Sequence, residues 1–363
     1  MEQCNGSGHL CIPRIIEFAR MSNRVLIALS AVLVLGRPTV QAQECAQCIA
    51  GEAGPELSTS EWLLTKQVNE VNVLFIAARK GSPVEGLAQS DVSVWDDDKV
   101  PAAIIGFRTE RELPLRVGVA IDTSSSVTSR FRFEQDAASA FFRQILHQQG
   151  DMGFVLGFGD DVTVTQDFVG DPELLFHGVE RLSVGGGTAM YDAILTACQR
   201  MVHHHEDNVV ARVLVVLSDG QNNGGVVSLQ GAIDAAQEAE VTIYAISTNY
   251  GAAYFGENFN AESGNKNLHM LAEQTGGRAL MPSSPKAVTQ AFAKVGEELR
   301  SRYAVSYKPA DFIPDGRYRK IKIGARKSGE KLEIRARKGY YARAASRLSS
   351  DPAIAAPAAS TIQ

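Results

Sequence analysis

The sequence predicts an α/β fold, a doubly wound and mostly parallel sheet flanked by helices, joined to a small β-sandwich-like domain from segments before and after it. Three observations predict this. Between Leu115 and Arg300 short apolar runs alternate with longer amphipathic stretches, the pattern of parallel strands linked by crossover helices. On both sides of that region the period falls to two, with turn clusters between the runs. The composition, 45% hydrophobic and 21% charged over 363 residues, can bury a sizeable core and excludes a wholly disordered, collagenous or disulfide-dense chain. At roughly 100–200 residues per domain, that length suggests about two domains.

The elements follow in order. Met21-Ser-Asn-Arg24, the apolar core Val25–Leu35 and the small residues around Val40-Gln41-Ala42 have the order of a secretory signal. Residues 1–42 are therefore expected to be removed on export to the periplasm or the outside, with Met21 as the alternative start. The apolar core is too short for a membrane span, which needs about 20 apolar residues. Cleavage removes four arginines and two glutamates and leaves a net charge of −7 in place of −5. Residues 43–67 read as a polar tail in which Cys45 and Cys48 could form a local disulfide, while Cys198 reads as a small buried hydrophobe. Residues 68–112 read as short strands, with Val71–Ala77 and Asp91–Trp95 separated by turn clusters. In residues 113–300, Leu115–Ile121 and Val213–Leu217 are continuous apolar runs, as in strands buried on both faces. Phe154–Phe158, Val162–Phe168, Val241–Ile246 and Arg278–Met281 complete the predicted strands. Helices are predicted from about Arg130 to His147 and over Leu174–Leu182, Met190–Val202, Leu229–Glu240, Leu268–Thr275 and Lys286–Arg300. Residues 301–343 return to alternation, with Lys327-Ser-Gly-Glu330 as a hairpin turn. They are expected to pair with 68–112 in one small domain. Residues 344–363, rich in Ala, Ser and Pro, read as a disordered tail.

The chemistry concentrates at strand ends. Val117–Ile121 leads into Asp122-Thr-Ser124-Ser-Ser126, and Val213–Leu217 leads into Ser218-Asp219-Gly220. In open α/β sheets the carboxyl ends of the strands are where ligands bind. Gly185-Gly-Gly-Thr188 brings a third hydroxyl to a helix start. Two carboxylates and three hydroxyls form an all-oxygen set, which suits Mg²⁺ or Mn²⁺ and, less strictly, Ca²⁺. Taken singly, Asp122 or Thr188 could equally be a helix cap. Asp192, one turn after Thr188, reads as a cap or a supporting residue.

Asp122-x-Ser124-x-Ser126, Thr188 and Asp219, in that order and spacing, resemble the metal-ion-dependent adhesion site of a von Willebrand factor type A (VWA) domain. The resemblance covers about Leu115 to Arg300. A wider likeness, carried by Val92-Ser-Val-Trp-Asp-Asp-Asp98, Gly185–Asp192, Leu214–Gly220, Glu298-Leu-Arg-Ser-Arg-Tyr303 and Arg335–Tyr341, is to VWFA-related secreted proteins of Acidobacteria. The resemblance implies a divalent cation held by Asp122, Ser124, Ser126, Thr188 and Asp219, with the two carboxylates acting directly or through water. One coordination position would stay open for an Asp or Glu of a protein partner. The sequence departs from the family pattern at Ser125, where glycine is common.

Three features stand outside this set. The segment Asn249–Asn267 looks longer than a minimal connection and reads as a tolerated surface insertion or a specificity loop. His203-His-His205 reads as a solvated loop on the opposite side of the sheet, with a metal tract as the alternative. From 315 to 343, eleven Lys and Arg oppose three acids. That excess reads as a solvated sheet face guarding its edges, or as a docking patch for an acidic polymer.

No phosphate-binding G-x-x-x-x-G-K-[ST], G-x-S-x-G elbow or H-E-x-x-H is present. The expectation is a non-enzymatic, exported, cation-dependent protein-binding module. A structural or assembly protein of the envelope with a vestigial metal site, or a metal-dependent hydrolase, are the alternatives. The mild overall acidity argues against nucleic acid as a partner.

Overall fold

The computed structural model describes residues 70–342 except 110–111, 205, 207–208 and 251–257. The export segment, both tails, Cys4, Cys11, Cys45 and Cys48 lie outside the described residues. The chain first lays down strands β1 (Val71–Arg79), β2 (Ser82–Pro83), β3 (Val92–Asp96) and β4 (Ala103–Thr109). The α/β region follows: β5 (Leu115–Asp122), α1 (Phe131–Ile145), β6 (Met152–Phe158), β7 (Val162–Val169), α2 (Pro172–Glu180), α3 (Met190–His203) and β8 (Ala211–Ser218). It continues through α4 (Leu229–Glu238), β9 (Val241–Ser247), α5 (Asn258–Thr275), β10 (Ala279–Leu280) and α6 (Pro285–Leu299). The last strands are β11 (Arg302–Lys308), β12 (Tyr318–Lys327), β13 (Glu330–Lys331), β14 (Glu333–Ala336) and β15 (Gly339–Tyr341).

The central sheet runs β10-β9-β8-β5-β6-β7, parallel throughout except for β7, which folds back antiparallel on β6. β5 is buried along its whole length because both faces are covered. Val117, Val119 and Ile121 pack with Phe141, Phe142 and Phe292 from α1 and α6, whereas Ala120 joins Phe154, Ile194, Ile233 and Leu271 beneath α3, α4 and α5. Helix starts are locally encoded. The Asp171 side chain accepts from Glu173 N with Pro172 at the first helical position, and Ser228 and Ser284 cap α4 and α6 in the same manner.

The flanking strands build two further sheets. One runs β14-β1-β11-β4 with β2 on β1, so that Val71 lies opposite Tyr307 and Thr109 opposite Tyr303. The other is β13-β12-β15 with β3 on β12. The sheets share one core: Val73, Phe75, Tyr303 and Tyr307 of the first meet Val94, Ile321 and Tyr340 of the second. Inside that core the Asp96 carboxylate accepts from the hydroxyls of Tyr307 and Tyr340 at 3.0 and 2.8 Å. Ser328 and Gly329 both have positive φ, the conformation a tight two-residue hairpin needs between β12 and β13.

Two sequence expectations are corrected here. The helix expected to start at Leu268 starts ten residues earlier, so much of the supposed insertion is helical. Its first half, rich in Asn with a central Gly264, has no apolar period; contacts with the β8–α4 loop hold it instead. The basic C-terminal strands are also not a uniform solvated face. Arg335 pairs with Glu298 of α6, Arg337 with Glu240 and Lys338 with Glu273, so three of the eleven cations face acids of the α/β region.

Candidate metal centre

β5 delivers Asp122 at its last position, fully buried. The carboxylate is held at both oxygens: Oδ1 accepts from Ser124 N at 2.9 Å and Oδ2 from the Ser218 hydroxyl at 2.8 Å. The chain then turns through a short 3₁₀ segment, Ser125–Val127, which brings the Ser124 and Ser126 hydroxyls to 3.0 Å from each other. Ser124 is buried and Ser126 exposed, so the pair spans the step from interior to solvent.

Thr188 arrives on a loop laced to this one. Gly185 N donates to Thr123 O, and the N–H and hydroxyl of Ser125 both reach Gly186 O. Asn223 grips the Thr188 backbone from the other side, its Oδ1 accepting from Thr188 N at 2.7 Å while its own N–H donates to Thr188 O. Thr188 is buried but is not the cap of α3, whose N-cap is Ala189 without a side-chain bond. Its hydroxyl is therefore not committed to helix capping.

Asp219 follows β8, half-buried, with Oδ1 accepting from Gln221 N. Its backbone is pinned by the residues just after β9 and by α5. Asn249 Nδ2 donates to Asp219 O at 2.7 Å, Asn267 Nδ2 donates to Gly220 O at 3.1 Å, and Gly264 lies directly against the Asp219–Gly220 backbone. Gly220 has φ +79°, and a Cβ at either Gly220 or Gly264 would collide with the backbone of the other segment. The early start of α5 thus has a local purpose: it sets the position of Asp219.

Asp122 ends β5, and Ser124, Ser126, Thr188 and Asp219 lie on the loops at the same, carboxyl end of the central strands. Direct contacts tie Asp122, Ser124 and Ser126 together, Thr188 joins through backbone bonds, and Asp219 is electrostatically coupled to Asp122. Burial pushes the Asp122 carboxyl above its ordinary range; the bonds from Ser124 and Ser218 oppose this, and the charge of Asp219 adds to it. A divalent cation fits this chemistry. It would supply the positive charge that two neighbouring carboxylates lack, and the remaining donors are hard hydroxyl oxygens. The described residues contain no cluster of three or more His, Cys, Asp and Glu. A site here would be built largely from hydroxyls.

Sequence reading missed the supports, Ser218 and Asn223 above all. The polar run Ser218–Asn223 was the available signal, but its pairing with Asp122 and Thr188 depends on the fold. Asp192 is not part of the donor set: its carboxylate accepts from Val226 N and Val227 N and braces the loop before α4. His203 ends α3 and its Nδ1 meets Gln199 O, and His204 stacks on Phe168, at the opposite edge of the sheet; His205 lies outside the described residues.

Residues 117–294 match the family model described as von Willebrand factor type A domain. Residues 117–294 have the VWA fold. No curated protein matches the chain. Among solved structures it is similar to a von Willebrand factor type A protein from Catenulispora acidiphila, at 12% identity and TM-score 0.44, covering 75% of this chain and 77% of that one. It is also similar to the vWF domain of the type V pili tip protein Mfa5 from Porphyromonas gingivalis, at 15% identity and TM-score 0.40, covering 51% and 94%. A third is the PilB minor pilin from Streptococcus sanguinis, at 12% identity and TM-score 0.42, covering 52% and 62%.

One buried acid of the VWA domain lies close enough to Asp122 to feel its charge. Glu134 on α1 has no exposed surface; Arg130 pairs with it at 3.2 Å and the Tyr250 hydroxyl donates to it at 3.2 Å. Burial, partly offset by Arg130, pushes its carboxyl up to about 7 from 4.5. The folded chain therefore holds this proton more tightly than the unfolded chain, and stability falls as pH rises between these two values. At about 1.4 kcal/mol per unit the loss is on the order of 3 kcal/mol. Urea titrations from pH 4.5 to 8 should show a shallower decline for Glu134→Gln than for wild type. Parallel curves would contradict this account.

Proposed function

We propose that the protein is an exported, divalent-cation-dependent protein-binding module, in which a partner's Asp or Glu side chain completes the coordination of a cation held by Asp122, Ser124, Ser126, Thr188 and Asp219. VWA domains generally mediate protein–protein interaction, often through a metal. The observation that carries the reading is the Ser124–Ser126 hydroxyl pair, 3.0 Å apart beside the buried Asp122 carboxylate. If the carboxylates act mainly through water, neutral oxygens dominate the first shell. The ion then stays electrophilic and favours an anionic ligand. Mg²⁺ is the first candidate, with Mn²⁺ and Ca²⁺ behind it.

Export is proposed from the signal-like order of residues 1–42 and the likeness to secreted VWFA-related proteins of Acidobacteria. Among the described residues no helix is long and apolar enough to cross a membrane. The test is capture from an envelope extract by the wild-type protein and by Asp122→Ala with Ser124→Ala, each in Mg²⁺ and in EDTA. A partner retained only by wild type in Mg²⁺ supports the reading; equal capture in all four arms overturns it.

A further inference from the structure

The basic strands hold one group of cations that the fold does not neutralise. Along β12 the side chains alternate: Ile321 and Ala325 are buried in the core, while Lys320, Lys322 and Arg326 are exposed on the outer face. Lys331 of β13 lies directly opposite Arg326, which adds a fourth cation to that face. Among the described residues none of these four makes an ion pair. This contrasts with Arg319, Arg335, Arg337 and Lys338 of the same segment, all of which do. Within β3 and β12 the outward positions carry no acid; they are Ser93, Trp95, Tyr318, Lys320, Lys322, Gly324 and Arg326, and the acid that borders the row, Asp97 just past β3, accepts from the Lys320 backbone N–H and pairs with Arg319. Like charges directly opposite each other on a sheet are destabilising, so the Arg326–Lys331 register has a cost that an external anion would remove.

The row also has an aromatic centre. Trp95 of β3 is the cross-strand partner of Lys322, whose Nζ lies 5.6 Å from the ring centre. The indole leans over Gly324, where a Cβ would come within 3.3 Å of it, so glycine leaves room for the ring on the sheet. Lys320 to Arg326 spans about 20 Å at the usual rise of a strand. The gap between Lys322 and Arg326 is the place where Trp95 lies.

We infer that this outer face of β3, β12 and β13 binds a linear anionic polysaccharide, with carboxylate or phosphate groups on Lys320, Lys322, Arg326 and Lys331 and a sugar ring against Trp95. Charge complementarity selects an anion, and the extended row selects a linear one. An indole on a flat surface matches the apolar C–H face of a pyranose ring. The face does not involve the metal-site residues, so its binding does not need a divalent ion.

Polygalacturonate is the probe, titrated in EDTA against the whole exported chain, with dextran, oligo-dT and phosphatidylglycerol vesicles as comparisons. Binding to polygalacturonate that weakens from 50 to 200 mM salt is expected. Lys322→Glu with Arg326→Glu should lower affinity at least tenfold, and Trp95→Phe should retain more affinity than Trp95→Ala. Thermal unfolding of each variant separates lost binding from lost fold, and the charge variants lie on an exposed face. No binding to polygalacturonate, equal affinity for dextran, an unchanged double variant, or preference for oligo-dT or vesicles would overturn the inference.

Discussion

Asp122→Asn is expected to abolish the stabilisation that Mg²⁺ confers, while leaving the metal-free protein close to wild type in stability. The two halves have separate causes. An ion that binds only the folded state stabilises it by about 2.7 kcal/mol at a hundredfold excess over its Kd. With the Asp122 charge gone, the remaining donors are the hydroxyls and Asp219, and that gain disappears. Asparagine keeps an acceptor for Ser124 N, and its amide can donate to the Ser218 oxygen, so the only group that loses a partner is the Ser218 hydroxyl proton. It also ends the cost of holding a buried carboxyl beside Asp219. Thermal unfolding with Mg²⁺ or EDTA decides the matter: a full Mg²⁺ response in the variant would remove Asp122 from the site.

The largest loss of stability is expected from Glu298→Gln. Glu298 is 2% exposed and lies between two guanidinium groups, Arg278 at 2.8 Å and Arg335 at 2.8 Å. It is the point where α6, the central sheet and strand β14 meet. Removing its charge leaves two half-buried cations facing each other. Breaking a buried pair by deleting one partner costs about 3–5 kcal/mol; the partial exposure of the arginines favours the lower figure. For a protein of this size that is a fall in Tm on the order of 8 °C. A fall of less than about 2 °C would show that water already screens both arginines.

The α/β region was legible because its signals are local. The apolar run Leu115–Ile121 and the alternation with amphipathic helices lie within a few residues of what they specify, and the caps the structure adds at Asp171, Ser228 and Ser284 are equally local. The first half of α5 was not, because its stability comes from contacts of Gly264, Asn265 and Asn267 rather than from an apolar stripe. The positions of Asp122, Ser124, Ser126 and Asp219 at or just past strand ends, and of Thr188 at a helix start, could be read from local pattern. Their supports could not: Ser218 acts on Asp122 across 96 positions and Asn223 on Thr188 across 35. The pairing of basic strands with Glu240, Glu273 and Glu298 was equally invisible, since net charge over a segment says nothing about which cations find partners.

The register that sets Thr109 opposite Tyr303 has a consequence for how the chain assembles. The β module is interrupted by the whole VWA domain, and β1 cannot meet β11 until synthesis has passed Tyr307. Closing a loop of that length from an unstructured chain is slow. A VWA domain that has already folded shortens the search, because its entry and exit points are neighbours. The last residue of β4 and the second residue of β11 then stand side by side before the outer strands have paired. Until then β1, apolar over most of its length, is an unpartnered strand, the kind of segment that aggregates in transit. The register thus favours folding from the middle outward, with the VWA domain as the template on which the flanking strands close.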